Sequence, residues 1–307
     1  MTHGLSFDVE CYRQIHWRKF MGENPRPSQD VVDATNLLLD LLAARNTQAT
    51  FFVVGSIARA FPSLVSRIVS EGHELGSHGD EHRDVRTLDA RGFREELARG
   101  QGTLESITGK AVVGYRAPMF SLTADVPFAF ETLAHQGFLY DSSIFPFAGP
   151  RYGDATAPLG IHRLRSGIFE IPLTVLERGR RRIPALGGGY VRGLPLAYTL
   201  WAMRQRIAMG VPAVAYFHPW EFSSASILPD WNDALMHPRS AFRLAWYTLA
   251  RTPGRGAPML AKVDRLLRRY AFQPLRRLLE TSQVFQEARP VSDVPSALQT
   301  GEPGVLR

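Results

Sequence analysis

The sequence predicts an α/β fold, a distorted barrel of the (β/α)7 type built around a parallel sheet. Two patterns indicate this fold. Short apolar runs alternate along the chain with segments whose apolar residues recur at helical spacing. Each apolar run also ends in a polar residue or a glycine, and the carboxyl ends of barrel strands are where active sites are assembled. Periodicity alone leaves open a doubly wound sheet.

The predicted elements follow one another in regular order. The strands are predicted at residues 5–9, 48–55, 73–78, 112–118, 137–144, 169–175 and 211–219. The helices are predicted at residues 29–45, 62–72, 89–108, 124–136 and 195–209. Ser28 or Asp30 is available to cap the first helix, and Gly72 is a suitable C-terminal residue for the second.

Two segments do not fit the alternation. Residues 176–194 are predicted to be an irregular insertion, in which Gly187, Gly188 and Gly189 form a flexible loop. The last residues, 281–307, have little periodicity and are predicted to be a disordered tail. We therefore expect a single barrel domain over residues 1–280, with a basic helical extension from about residue 238.

The composition is typical of a globular protein. Of the 307 residues, 45% are hydrophobic and 21% are charged. No apolar run approaches the roughly 18 residues of a membrane span, and the first residues lack the pattern of a secretory signal. The single cysteine, Cys11, cannot form an internal disulfide. We expect a cytoplasmic protein, with peripheral attachment to the inner membrane face as a further hypothesis.

The net charge of +7 is concentrated in one segment. Residues 251–280 contain eight Lys or Arg and two acidic residues, so this segment alone contributes +6. Within it, apolar residues at helical spacing alternate with arginines over 258–279, a pattern typical of a helix that lies on a membrane surface. The alternative is a final barrel helix with a solvated basic face. No nucleic-acid partner is expected, since no binding motif accompanies the charge.

The strongest chemical signal is the pair His78 and His82 in the stretch GSHGDEHRD. If the chain becomes helical after the strand, residues four apart share one face, and both imidazoles can bind one ion. Asp8 or Glu10, at the end of the first strand, can add a carboxylate. Two histidines and one carboxylate are typical of a catalytic zinc site, so we predict a divalent metal, most simply Zn²⁺. Cys11 points to the other face of the strand and is predicted to be buried.

Three further strand ends carry candidate catalytic residues. Arg116, in GYRAPMF, can pair with a catalytic carboxylate or form an ordinary structural ion pair. Asp141, in YDSSIFP, is a candidate whose alternative role is a turn cap. His218, in AVAYFHPWE, is a candidate general acid, although a single histidine after a strand is more often structural. The residues predicted to wall a substrate pocket are Phe145, Pro146 and Trp220.

Five of these segments, taken in order, resemble the motifs of the polysaccharide deacetylase family, the NodB-homology or carbohydrate esterase family 4 enzymes. The segments are SFDVE, SHGDEH, RAP, DSSIFP and FHP, and they span residues 5 to 219. The arrangement GGGY…YFHPWEF is similar to a bacterial subgroup associated with exopolysaccharide gene clusters.

The resemblance implies metal-dependent hydrolysis of N-acetyl groups on an amino-sugar polysaccharide or its lipid-linked precursor. It also implies a role for each residue: Asp8 as general base, His78 and His82 as metal ligands, Arg116 to tune the base, Asp141 to orient the acid, and His218 to protonate the departing amine. Val9 stands where many members have a second aspartate that binds the metal, so Glu10 is implied as the ligand instead. Gly79 and Phe145 also depart from the family pattern, which has Ser or Thr and Trp there.

The sequence leaves two other functions open. A hydrolase of a small cyclic amide or ureide would use the same scaffold but would need a closed pocket. A non-catalytic protein that binds an anionic glycan or a membrane surface would use the basic segment 251–280.

Overall fold

The centre of the fold is one curled, incomplete barrel sheet. The structure is a computed structural model, and it describes residues 1–22, 25–123, 125–149, 152–179, 181–228, 236–249 and 251–288. The strands are β1 (His3–Val9), β2 (Thr50–Val53), β3 (Glu74–Ser77), β4 (Gly114–Tyr115), β5 (Tyr140–Asp141), β6 (His162–Arg163), β7 (Phe169–Glu170), β8 (Val175–Arg178), β9 (Arg181–Pro184), β10 (Val214–Phe217) and β11 (Phe272–Gln273).

The strand order identifies a barrel and excludes a doubly wound sheet. The parallel strands run β10-β1-β2-β3-β4-β5-β7, with β6 antiparallel at the edge and β11 parallel beside β1. The order advances in one direction, whereas a doubly wound sheet reverses its order at a switch point. These seven parallel strands are the seven predicted from the sequence, although β4, β5 and β7 are only two residues long.

Helices cover the outside of the sheet. They are α1 (Tyr12–Met21), α2 (Asp30–Ala44), α3 (Gly55–Ala60), α4 (Pro62–Ser70), α5 (Ala90–Thr108), α6 (Ala129–His135), α7 (Gly188–Gly193), α8 (Leu196–Ala208), α9 (Pro238–Leu249), α10 (Ala257–Arg269), α11 (Leu275–Glu280) and α12 (Gln283–Ala288). In α2 the apolar residues Val31, Leu38 and Leu42 recur at helical spacing and are buried, as the sequence predicts. The predicted side-chain cap is wrong, because Gln29 is the N-cap and makes no capping hydrogen bond.

The described residues of segment 176–194 form regular elements, so the prediction of a flexible glycine loop at 187–189 is wrong. It contains the antiparallel hairpin β8–β9 and the short helix α7. Gly188 packs against the side chain of Glu221, and Gly187 packs against the ring of Tyr216. The backbone N–H of Tyr216 also donates to the carbonyl of Leu186 at 3.2 Å. The segment therefore lines the gap beside β10, where the sheet does not close.

The C-terminal helices belong to the barrel. Along α10 the apolar residues Met259, Val263 and Leu266 are buried in the core, and the arginines of the helix are exposed. This burial contradicts the hypothesis that segment 258–279 lies with its apolar face on a membrane, and it matches the alternative of a final barrel helix. Among the described residues, none of the helices combines the length and the apolar character that crossing a bilayer requires.

The predicted disorder of 281–307 is wrong for its first part. Residues 283–288 form α12, and Phe285 packs against Phe169 with ring centroids 5.3 Å apart. Residues 289–307 lie outside the described part of the chain.

Candidate metal centre and active site

Three side chains meet at the carboxyl end of the sheet. Glu10 follows β1 directly, and His78 and His82 follow β3. One ligand atom from each lies within 4.8 Å of the other two. The His82 Nε2 atom is 2.8 Å from Glu10 Oε2, and the His78 Nε2 atom is 3.9 Å from the same oxygen. The structure thus brings together the three residues predicted to bind a metal.

The two histidines converge through a loop, so the predicted helical turn is wrong. Gly79 has φ = +76° and His82 has φ = +51°, both in the left-handed region. The loop is held by Glu96, whose carboxylate accepts the backbone N–H groups of Asp80 and Glu81. A positive φ is cheap for glycine and costly for most other residues. This requirement explains the glycine at position 79, where the family pattern has Ser or Thr.

The hydrogen bonds of His78 prepare it as a ligand. Its Nδ1 atom lies 2.8 Å from the carbonyl oxygen of Arg116, which can only accept, so Nδ1 carries the proton. The lone pair of Nε2 therefore points to the site, the usual orientation of a metal-binding histidine. Burial lowers the pKa of His78 to about 4, which keeps the ring neutral. His82 Nε2 is also buried, and its 2.8 Å approach to Glu10 Oε2 does not have the geometry of a hydrogen bond.

Glu10 is held in its charged form. Burial alone would raise its pKa, but the nearby His218 and the contacts with His82 and His78 lower it below the ordinary value. Two imidazole nitrogens and one carboxylate oxygen make a donor set that fits a zinc ion with positions left for water or substrate.

Asp8 lies beside this group and is paired with a fixed arginine. The Nη1 atom of Arg116 donates to Asp8 Oδ1 at 2.8 Å, and the arginine side chain has 0% exposure. The other guanidinium donors reach the Ser6 hydroxyl and both the hydroxyl and carbonyl of Ser142, at 2.8–2.9 Å. Both serine hydroxyls donate to backbone carbonyls and so present lone pairs to Arg116. The pairing predicted for Arg116 is therefore present.

His218 completes the site at the end of β10. Its Nε2 atom is 3.7 Å from Glu10 Oε1 and 4.0 Å from Asp8 Oδ2, and its Nδ1 atom is 3.5 Å from Glu221 Oε2. Burial would lower the pKa of His218, but these carboxylates outweigh burial and raise it to about 9. The ring is therefore protonated at neutral pH, as a general acid must be.

Asp141 is not next to His218, contrary to the role implied for it. Within the described residues, the carboxylates within 4.0 Å of a His218 ring nitrogen are those of Asp8, Glu10 and Glu221. Asp141 is fully buried and accepts from both the backbone and the hydroxyl of Ser143. Burial raises the pKa of Asp141, although the hydrogen bond with Glu170 opposes the rise, and burial together with the neighbouring Asp141 raises the pKa of Glu170. Asp141 therefore stabilises the strand end that carries Arg116, because Ser143 also accepts from Ala117 N–H.

Glu221 was missed by the sequence reasoning. It is 1% exposed, and its carboxylate also accepts the backbone N–H of His218 at 3.0 Å. The sequence did contain a signal for this contact. In the stretch HPWE, an acidic residue follows His218 by three positions, which is the spacing of a capping box.

The residues predicted to wall the substrate pocket lie at different depths. Phe145 and Pro146 are buried, and Phe145 packs edge-on against Phe120 and Tyr216. Trp220 is partly exposed and stacks on His218, with centroids 5.8 Å apart. It lines a cleft that also includes Glu10. Trp220 is thus the predicted wall residue that reaches this cleft.

Comparison with known proteins matches two family models to the chain. The polysaccharide deacetylase model matches residues 26–137, and a domain of unknown function, DUF3473, matches residues 142–280. The chain carries a polysaccharide deacetylase domain. The match to this domain includes His78, His82 and Arg116. The DUF3473 match is consistent with the predicted resemblance to the exopolysaccharide-associated subgroup.

Curated relatives of the deacetylase domain come from fungi and bacteria. A chitin deacetylase of Pestalotiopsis sp is 38% identical over 107 residues, which are 34% of this chain and 35% of that protein. A chitooligosaccharide deacetylase of Bradyrhizobium sp. (strain ANU 289) is 31% identical over 39% of this chain and 52% of that protein. The chain thus spans about a third to a half of these curated relatives.

A solved structure extends the likeness to most of the fold. It is a crystal structure from Mycobacterium smegmatis, provisionally named a polysaccharide deacetylase. The match covers 86% of this chain and 89% of that chain, with a TM-score of 0.53 and 22% identity. It confirms the fold of the deacetylase domain.

The packing of Gly188 against Glu221 gives a first testable prediction. A Cβ atom at Gly188 would overlap the Glu221 carboxylate, whereas one at Gly189 would meet no atom within 4 Å. We expect Gly188→Ala to displace Glu221 and to lower the free energy of unfolding by about 1–3 kcal/mol. Thermal or urea unfolding measures this change. Gly189→Ala, the matched control, should unfold like the wild type, and equal losses in both variants would contradict the close packing at Gly188.

Proposed function

We propose that the protein is a metal-dependent hydrolase that removes N-acetyl groups from an amino-sugar polysaccharide or its lipid-linked precursor. The observation that carries the proposal is the placement of two carboxylates around the histidines. Glu10 lies within ligand distance of His78 and His82, while Asp8 lies beside this group and accepts a hydrogen bond from Arg116. The deacetylase domain and its curated relatives support the same reaction class.

The residues divide into holding and reacting groups. Glu10, His78 and His82 would hold a divalent cation, with Zn²⁺ favoured by the two imidazoles. When bound, such an ion supplies Lewis-acid polarisation of the acetyl carbonyl and acidifies water at the site.

Asp8 is the base in this proposal. Its Oδ1 atom is occupied by Arg116, and its Oδ2 atom faces the site, 4.0 Å from His218. Arg116 fixes the orientation of the carboxylate, so Oδ2 can take a proton from the attacking water.

His218 is the acid. It is protonated at neutral pH, and its Nε2 atom lies 3.7 Å from Glu10 Oε1, where it can give its proton to the departing amine. Glu221 is a positioning residue, because it faces Nδ1 and thereby directs Nε2 into the site. Acetate and a free amino sugar are the products.

The cleft beside Glu10 favours a sugar chain over a small ring. It includes the partly exposed ring of Trp220 and the cation Arg255. Aromatic faces are suited to packing against sugar rings, since both are broad and amphipathic. A hydrolase of cyclic amides would instead need a closed pocket.

Acetate release is the experiment that tests this proposal. The purified protein is stripped of metal, supplied with Zn²⁺, and incubated with chitin oligomers and, separately, with cyclic imides. We expect acetate and free amine in equimolar amounts from the oligomers, lost on chelation and restored by zinc. Hydrolysis of the imides alone would favour the alternative hydrolase, and no zinc binding with no acetate from any N-acetylated glycan would refute the proposal.

A further inference from the structure

One helix of the fold exposes an apolar face to solvent. Along α9, the side chains of Phe242, Trp246 and Leu249 have exposures of 71%, 73% and 53%. Their spacing of four and three residues places them on one side of the helix. Single exposed apolar residues are common on protein surfaces, but a stripe containing two aromatic rings marks an interaction site.

The opposite side of α9 is packed, so the orientation of the helix is fixed. Ala241, Leu244 and Thr248 are buried against the protein. The Thr248 hydroxyl is 3.0 Å from the hydroxyl of Tyr12, in α1. The exposed stripe is therefore an outer face of an anchored helix.

Basic side chains accompany the stripe. Arg239 and Arg243 are exposed on the same helix, and the exposed Lys19 of α1 lies beside them, with its Nζ atom 4.9 Å from the ring of Tyr247. The sequence has no Asp or Glu from residue 234 to residue 263. We call Arg239, Phe242, Arg243, Trp246 and Leu249 the aromatic face.

The helix that carries the aromatic face packs beside the active-site region. Tyr12, which contacts Thr248, is two residues after Glu10 and packs against Trp220 with centroids 4.9 Å apart. Trp220 in turn stacks on His218. The inner side of α9 therefore packs beside residues that line the cleft, and the aromatic face is on the outer side of the same helix.

We propose that the aromatic face binds the surface of an anionic phospholipid bilayer. Trp and Phe rings favour the boundary between headgroups and acyl chains, and arginines beside them favour phosphate groups. A second copy of this chain fits less well, because a two-fold contact would place arginines against arginines. The proposal uses a different surface from segment 251–280 and does not depend on deacetylase activity.

Vesicle sedimentation of the full chain tests the proposal. The vesicles contain phosphatidylcholine alone, or phosphatidylcholine and phosphatidylglycerol in roughly equal parts. The wild type should bind the anionic vesicles much more strongly than the neutral ones. Phe242→Ser with Trp246→Ser should reduce the partition coefficient by about tenfold per ring. Arg239→Gln with Arg243→Gln should reduce it by about fivefold per arginine, on anionic vesicles only.

Two control variants distinguish the loss of the aromatic face from a general loss of exposed apolar area or of positive charge. Leu37→Ser with Ile207→Ser removes exposed apolar residues elsewhere, and Arg265→Gln with Arg269→Gln removes exposed charges from α10. Both controls should bind like the wild type or nearly so. The proposal is overturned if the wild type ignores anionic vesicles, or if the controls lose as much binding as the test variants. It is also overturned if light scattering shows a dimer that Phe242→Ser with Trp246→Ser dissociates while vesicle binding is unchanged.

Discussion

Asp8→Asn is expected to lower kcat for acetate release by about 10²–10⁴-fold, the range of a general base. An amide at this position cannot take a proton from water. Its amide oxygen can still accept a hydrogen bond from Arg116, which in the wild type donates to Asp8 Oδ1 at 2.8 Å. The metal group of Glu10, His78 and His82 is not altered, so zinc content should remain that of the wild type. Acetate release at saturating oligomer, with zinc measured by elemental analysis, checks both outcomes.

Asp33→Asn is the matched control for this variant. Asp33 is exposed, does not line the cleft and does not belong to the metal group. Its variant should keep wild-type turnover. Since Asp8→Asn leaves the buried Arg116 charge without its counter-ion, a loss of stability is also expected, of about 3–5 kcal/mol at most. Turnover is therefore compared well below the unfolding midpoint of each protein. Near wild-type turnover in Asp8→Asn would remove Asp8 as the base.

The strand ends were predictable from sequence because local pattern determines them. Each parallel strand is an apolar run that must be buried, and its polar end must then emerge at the same edge of the sheet. This logic placed Asp8, Glu10, His78, Arg116 and His218 together, and the structure brings them together. The order of the strands did not follow from pattern, because it depends on contacts between distant residues.

The errors came from backbone conformation and from buried polar partners. The turn after His78 looked helical by spacing, but Gly79 takes a positive φ that only the surrounding contacts fix. The assignment of Asp141 to His218 came from motif order, whereas the partner within reach is Glu221, three residues along the chain. The glycines at 187–189 suggested flexibility, yet two of them permit close packing against Tyr216 and Glu221. A glycine has the same sequence signature in both roles.

The membrane hypothesis shows the same limit in a different form. Segments 238–249 and 257–269 are both amphipathic and basic, so pattern alone does not rank them. In the structure the apolar face of α10 fills the core, while Phe242 and Trp246 of α9 face outward. Only the packing of the helices against the sheet decides which apolar face is left for another surface.

Glu10→Ala is expected to weaken zinc binding strongly. Removal of a residue that only hydrogen-bonds a metal ligand typically lowers metal affinity by about 10–100-fold, and removal of the ligand itself should exceed that loss. Glu10 supplies the carboxylate of the metal group, and its Oε2 atom lies 2.8 Å from His82 Nε2. Without it, two imidazoles remain, and the metal group has no carboxylate ligand. Competition with a chromophoric chelator measures the affinity directly, without relying on turnover.

Glu221→Gln is the control that distinguishes the loss of a metal ligand from the loss of a nearby carboxylate. Glu221 carries the same charge and also contacts His218, but it is not part of the metal group. Its variant should keep zinc affinity within a few fold of the wild type, because an outer partner of the acid does not hold the ion. Equal zinc affinity in Glu10→Ala and the wild type would mean that another carboxylate is the ligand, and Asp8 would be the first candidate. Loss of zinc in Glu10→Ala together with retained zinc in Asp8→Asn would divide the two carboxylates of the first strand end into ligand and base.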